Sequence, residues 1–236
     1  MNIKAVTFDF WNTLAEDSEP VKVREISAGR MIQILKEEGH KVSPEQMHDA
    51  FAKAREVCYR YQEDMGLDFT PEEQVEWIVN YLNISVNRET LPLLINGYTT
   101  SLLDIPPRFY SGVKDILLRL KAGYKLAIIC NTGRTPGWVL KELLAREGIK
   151  GLFDITVFSN EVGIAKPNPK IFELVAQKIV VKPENVLHVG DDPRTDIHGA
   201  VQAGFKTAWF NPNGIAKQVC CDIELGCLEE LTEILC

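Results

Sequence analysis

Ile3-Lys4-Ala5-Val6-Thr7-Phe8-Asp9-Phe10-Trp11-Asn12-Thr13-Leu14 runs from apolar, β-branched residues into an aspartate and a polar turn. An open α/β sheet places its ligand sites beyond the carboxyl ends of its strands, and Asp9 would sit at such an end. Alone, the carboxylate equally suits the cap of a turn. Working outward, four further Val-, Ile- and Phe-rich runs lie at residues 125–130, 155–158, 186–189 and 207–210, each closed by a polar or glycine-containing turn. Their alternation with helical patterns predicts an α/β fold, a doubly wound, Rossmann-like parallel sheet covered by helices.

The gaps between the last four runs suit single helical crossovers, but about 115 residues separate the first run from the second, far more than one βαβ unit needs. A helical insertion is predicted there. Ser43-Pro44-Glu45-Gln46 and Thr70-Pro71-Glu72-Glu73 each put a hydroxyl at the N-cap, proline at the first helical position and Gln or Glu at the third, so that side chains satisfy orphan backbone donors. Met47, Phe51, Ala54, Cys58 and Tyr61, then Val75, Ile78, Val79 and Leu82, recur at three- and four-residue steps, which gives each helix one apolar face. Leu91, Leu94, Ile95, Tyr98 and Leu102 continue the pattern. A looser helix spans about residues 20–38, where Gly29 costs roughly 1 kcal/mol relative to Ala. Pro106-Pro107 ends the insertion. Residues 1–15 and 106–236 are expected to form the α/β core, and residues 16–105 a small helical cap.

The chain has 236 residues with 26 Lys+Arg against 33 Asp+Glu, a net charge of −7, and is 45% hydrophobic. This balance excludes collagen-like, low-complexity and disordered classes. It offers no broad positive field for nucleic acid or anionic lipid. No apolar run reaches the roughly 18 residues of a membrane helix, and no signal-peptide layout precedes the first strand. A cytoplasmic protein without nucleic-acid or membrane partners is expected. The six cysteines (Cys58, Cys130, Cys220, Cys221, Cys227 and Cys236) lack a paired C-x-x-C spacing, and the four histidines are scattered. Free thiols rather than a zinc site are expected.

The other strand ends also carry polar motifs: Cys130-Asn131-Thr132-Gly133-Arg134, Lys166-Pro167-Asn168-Pro169 and Gly190-Asp191-Asp192-Pro193-Arg194-Thr195-Asp196. Together with residues 9–13 they resemble, in order, the four motifs of the haloacid dehalogenase-like hydrolase superfamily. The helical insertion between the first two is similar to that family's smaller cap type. The resemblance covers the whole chain and implies an aspartate nucleophile, a magnesium ion, and a small phosphorylated substrate or a haloacid.

Physical chemistry supports the same roles. A carboxylate attacks a dianionic phosphate only if positive charge screens both partners and holds them in line. Asp9 would be the nucleophile, forming an aspartyl-phosphate that water then hydrolyses. Mg2+ prefers octahedral oxygen ligands, and Asp9, the Trp11 backbone carbonyl, Asp191 and a phosphate oxygen would supply a set. Lys166 would lower the pKa of Asp9 and meet phosphate charge in the transition state. Asn131, Thr132 and the Gly133 amide would donate hydrogen bonds to phosphate oxygens. The family's usual second-motif hydroxyl falls on Cys130 if aligned by strand length and on Thr132 if aligned by the Thr-Gly-Arg run, with a hydroxyl the better donor. Asp196 is expected to orient Lys166 or to support the magnesium ligands, and Asp192 to be a ligand or a loop residue. On the insertion, Arg24, Arg30, Tyr59 and Arg60 are expected as packing or solvated surface.

Trp11 departs from the pattern. The family's phosphatases usually carry a second aspartate two residues after the nucleophile, which protonates the leaving oxygen. An indole does not titrate usefully, and losing such help typically costs about 10²–10⁴-fold. An aromatic here also resembles the family's 2-haloacid dehalogenases. Those typically lack the first aspartate of the fourth motif and carry a tyrosine shortly after the lysine, whereas this chain has Asp191 and Phe172. The leading expectation is a magnesium-dependent phosphohydrolase, slow on poor leaving groups. A catalytically weak or inactive binding protein is the alternative, and a 2-haloacid dehalogenase the lesser one.

Overall fold

The computed structural model describes residues 2–216 and 219–236. In chain order its strands are β1 (Ala5–Phe8), β2 (Ala15–Glu16), β3 (Arg108–Phe109), β4 (Lys125–Cys130), β5 (Ile155–Phe158), β6 (Val186–Gly190), β7 (Lys206–Phe210) and β8 (Ile223–Leu225). The helices are α1 (Pro20–Glu37), α2 (Pro44–Arg60), α3 (Pro71–Tyr81), α4 (Leu91–Thr99), α5 (Val113–Lys121), α6 (Gly137–Arg146), α7 (Ser159–Val162), α8 (Pro169–Ile179), α9 (Gly199–Gln202) and α10 (Glu230–Leu235).

Six strands form one parallel sheet in the order β5-β4-β1-β6-β7-β8. All five predicted strand runs lie in it, and β8 extends its edge. Side chains alternate between the sheet's faces. Val6, Phe8, Leu126, Ile128 and Cys130 pack with α5, α6 and α10 on one face. Ala5, Ala127, Ile129, Val157 and Val186 pack with α8 and α9 on the other. Burial on both faces explains why these strands read as continuous apolar runs.

Helices α1–α4 enclose a third apolar cluster, including Met31, Leu35, Met47, Phe51, Ile78 and Leu94. Both predicted capping boxes form, at Ser43 with Gln46 and at Thr70 with Glu73. The insertion leaves the core through β2 and returns through β3. These two short segments pair antiparallel, Ala15 with Phe109 and Glu16 with Arg108. After α2 the chain makes a π-helical turn, Tyr61–Met65, and reverses at Gly66 with φ +63°. A Cβ at Gly66 would lie 2.6 Å from Asn168 Cβ, so this junction requires glycine. Among the described residues no helix is long and apolar enough to cross a membrane.

Candidate active site

The carboxyl ends of β1, β4 and β6 and the loop after α7 open into one cavity of about 660 Å³, roofed by α1–α4. Asp9 lies one residue past β1, its N–H donating to Val189 O at 2.9 Å. The chain then turns back: Asn12 takes a positive φ of 55° and donates to Ala15 O at 2.7 Å. Asparagine tolerates this left-handed conformation better than most residues. Trp11 is half-buried at the cavity wall, edge-on to Phe10 with ring centroids 5.0 Å apart.

Lys166 is only 2% exposed, and Nζ donates to Asp9 Oδ1 at 2.5 Å and to Asp196 Oδ1 at 2.6 Å. Asn131 fixes the lysine's backbone from both sides: Lys166 N donates to Asn131 Oδ1, and Asn131 Nδ2 donates to Lys166 O, each at 2.8 Å. Asp196, 1% exposed, also meets His188 Nε2 at 3.3 Å and accepts from Asp192 N at 3.0 Å. Burial depresses the His188 pKa, keeping the imidazole neutral. Its Nδ1 lies 2.9 Å from Thr7 Oγ1, consistent with a proton on Nε2 facing Asp196. Gly190 makes room for this arrangement, since a Cβ there would lie 2.2 Å from Asp196 Cγ.

The charges do not cancel. Lys166 is pushed well above its ordinary range because Asp196 and Asp9 outweigh burial, and its ammonium holds Asp196 ionised at low pKa. Asp9 is pushed up to about 8, chiefly by burial, with Asp196 and Asp191 adding and Lys166 opposing. Lys166 does lower the pKa of Asp9, as expected, but burial outweighs it and the net shift is upward. Asp191, also burdened by burial and by Asp196, rises to about 7. Asp9, Asp191 and Asp196 offer oxygens all within 4.8 Å of one another. Three clustered acids facing one lysine suit a divalent cation held by oxygen ligands.

Thr132 and Gly133 line the cavity beside Asn131. Several of their polar groups face protein partners instead of the cavity interior. Thr132 N donates to Ser159 Oγ at 2.9 Å, and Gly133 O accepts from Gln74 Nε2 and Asn160 Nδ2, each at 3.0 Å. Cys130 is fully buried in the core and does not line the cavity. Asp192 accepts from Arg194 N at 2.8 Å and Thr195 N at 2.7 Å, capping the following turn as a loop residue does. Arg24 and Tyr59 are exposed, as expected of solvated surface, and both also line the cavity. Arg30 and Arg60 instead pair with Asp104 and Glu56.

A family model for haloacid dehalogenase-like hydrolases matches residues 3–204. The chain belongs to this family. It is 28% identical over 213 residues to a glyceraldehyde 3-phosphate phosphatase of Pyrococcus furiosus, covering 88% of this chain and 80% of that protein. In three dimensions it resembles a 2-haloacid dehalogenase from Pseudomonas syringae, with TM-score 0.70, 22% identity and 99% and 98% of the two chains covered. It also resembles a phosphatase of the same family from Thermococcus onnurineus, with TM-score 0.68, 23% identity and the same coverage. The expected family, the α/β fold and the hydrolase class therefore hold.

This haloacid dehalogenase-like hydrolase has a buried network that its linear motifs do not announce. Asp68, between α2 and α3, accepts from Ser159 Oγ at 2.5 Å, Gln62 Nε2 at 2.9 Å and Phe69 N at 2.9 Å. Ser159 in turn receives the Thr132 amide, so Asp68 ties the insertion to the wall of the cavity. Burial still outweighs these bonds and pushes its carboxyl from 3.8 up to about 6. The folded state thus binds a proton that the unfolded chain releases near pH 4, and stability falls as pH rises through this window. Relative to Asp68→Asn, the wild type is expected to lose about 2 kcal/mol between pH 4 and pH 7. Urea unfolding of both proteins at the two pH values measures this, and a constant difference would count against it.

Proposed function

We propose that this hydrolase is a Mg2+-dependent phosphohydrolase of small phosphorylated metabolites, with residues 16–105 as a cap over the phosphate site. The observation that supports it best is the pair Asp9, buried, and Asp191, half-buried, sharing one cavity floor, with the single Lys166 ammonium divided between Asp9 and Asp196. Displacement of halide from carbon brings no phosphate dianion to the site and so gives no use for a cation held between the two acids. The Pyrococcus furiosus relative named as a phosphatase points the same way.

Asp9, the Trp11 carbonyl and Asp191 would hold the ion, which would supply the positive charge that admits a dianionic phosphate to an acidic floor. Asp9 attacks phosphorus: its carboxylate oxygen forms the new P–O bond as the ester P–O bond breaks. Water then attacks the phosphorus, releasing inorganic phosphate and restoring the carboxylate. Lys166 holds Asp9 in place and meets charge on the phosphoryl oxygens, with Asn131, Thr132 and Gly133 forming the adjacent wall. Asp196 orients Lys166. Trp11 offers the leaving oxygen no titratable proton, so good leaving groups are favoured. That same residue favours the second reading, a weak or inactive binding protein.

The test is release of phosphate from p-nitrophenyl phosphate and of chloride from 2-chloropropionate, each with Mg2+ and with EDTA. Phosphate released only with Mg2+ is the expected result. Chloride release independent of Mg2+ would establish a dehalogenase, and neither product would favour the binding protein.

A further inference from the structure

The cavity is acidic at its floor, and its wall carries three arginines. Arg24 on α1, Arg55 on α2 and Arg134 in the loop after β4 all line it. Arg134 is half-buried with its guanidinium over the Tyr98 ring, 5.6 Å from the centroid. Tyr98 is itself fixed, its hydroxyl donating to Gln74 Oε1 at 3.2 Å. Arg55 stacks on Tyr59 at 5.1 Å and donates to its hydroxyl at 3.1 Å. Among the described residues none of the three arginines has a carboxylate partner, whereas Arg30, Arg60, Arg108, Arg146 and Arg194 each form an ion pair. Arg88 and Arg119 are also unpaired but lie outside the cavity.

A guanidinium cannot relieve repulsion by losing its proton. Burial bears most on the Arg134 charge and Arg55 and Arg24 add to it as like charges, while Tyr98 and the acid Asp17 oppose them. Asp17 is exposed and stands beyond ion-pair distance of all three. The arrangement has the chemistry of an anion site: planar forks with free donors, two of them held on aromatic faces, at the wall of one cavity. A phosphoryl group at Asp9 has Lys166 and the proposed cation to meet its charge, so the arginines' donors are available to a second anion.

We infer that Arg24, Arg55 and Arg134 form a second anion subsite, so that the preferred substrate is a phosphomonoester carrying another anionic group, a carboxylate or a second phosphate. The assignment of the first anion rests on the phosphohydrolase reading; the subsite itself does not. A substrate of this class differs from glyceraldehyde 3-phosphate, whose far end is uncharged.

Three matched pairs isolate the charge: 3-phosphoglycerate against glycerol 3-phosphate, 6-phosphogluconate against sorbitol 6-phosphate, and fructose 1,6-bisphosphate against fructose 6-phosphate. The first two add a carboxylate at different reach, and the third adds a phosphate. The ratio of kcat/KM within a pair is expected to favour the more anionic member by about 10–100-fold in at least one pair. Arg134→Gln should bring that ratio close to one and Arg134→Lys should restore part of it. Arg55→Gln, on a different element, should also lower it. A ratio near one in all three wild-type pairs, or a preference untouched by both glutamine variants, overturns the inference. If p-nitrophenyl phosphate is not hydrolysed, the phosphohydrolase reading has failed separately. The same pairs are then compared by calorimetric binding to wild type and Arg134→Gln, where equal affinities within every pair overturn the subsite and an Arg134-dependent preference sustains it.

Discussion

Asp9→Asn is expected to lower Mg2+-dependent hydrolysis of p-nitrophenyl phosphate by on the order of 10⁴-fold or more, because an amide oxygen cannot form the acyl-phosphate bond. The substitution is nearly isosteric, and the amide oxygen it introduces can still accept from Lys166 Nζ, which keeps its second partner, Asp196. It also removes one of three mutually repelling acids. The fold should therefore survive, with a melting temperature no lower than that of the wild type. A steady-state assay with a parallel melting curve separates chemistry from folding. Undiminished turnover would remove Asp9 from the reaction, and lost turnover with a collapsed melting temperature would mark it as a structural residue.

Trp11→Asp is expected to act in the opposite direction on poor leaving groups. The carboxyl would stand at the wall where the indole now stands, two residues beyond Asp9, while the backbone carbonyl assigned to the ion stays in place. An acid able to protonate the departing oxygen is worth about 10²–10⁴-fold for an alkyl phosphate and far less for an aryl phosphate. The ratio of alkyl to aryl turnover should rise accordingly. The indole also packs edge-on against Phe10, so some stability is lost whatever replaces it. Trp11→Ala controls for that loss: it should share the reduced melting temperature without the changed ratio. Equal slowing of both substrates in Trp11→Asp would argue against the missing-acid explanation.

Much of the fold was legible because its signals are local. Buried strands show as apolar runs, and the two capping boxes fall within four residues each. Elements without local pattern escaped: β2 and β3 have two residues apiece, too few for periodicity, and β8 has three. The site was legible where chemistry dictates residue type, at Asp9, Lys166 and Asp191, and less so where partners decide. Asn131 reads as a donor to a ligand, yet its amide grips the main chain of Lys166 from 35 positions away. Asp68 and Ser159, 91 positions apart, share no motif. Asp192 could have been recognised, since an aspartate directly before Pro193 is itself a helix-start signal. The contacts of Lys166 with Asp9 and Asp196 follow from their expected roles, whereas the net rise in the Asp9 pKa does not, because it depends on burial set by tertiary packing.

The position of β1 in the sheet bears on how the chain acquires its structure. Ala5 pairs with Lys125 on one side and with Val186 on the other. During synthesis, this strand cannot be enclosed until the residues of β6 have left the ribosome. Such long-separation contacts are slow to form and leave apolar edges open meanwhile. The strand that leads into Asp9 must wait for most of the chain, and the period of greatest vulnerability to aggregation is the one before β6 arrives.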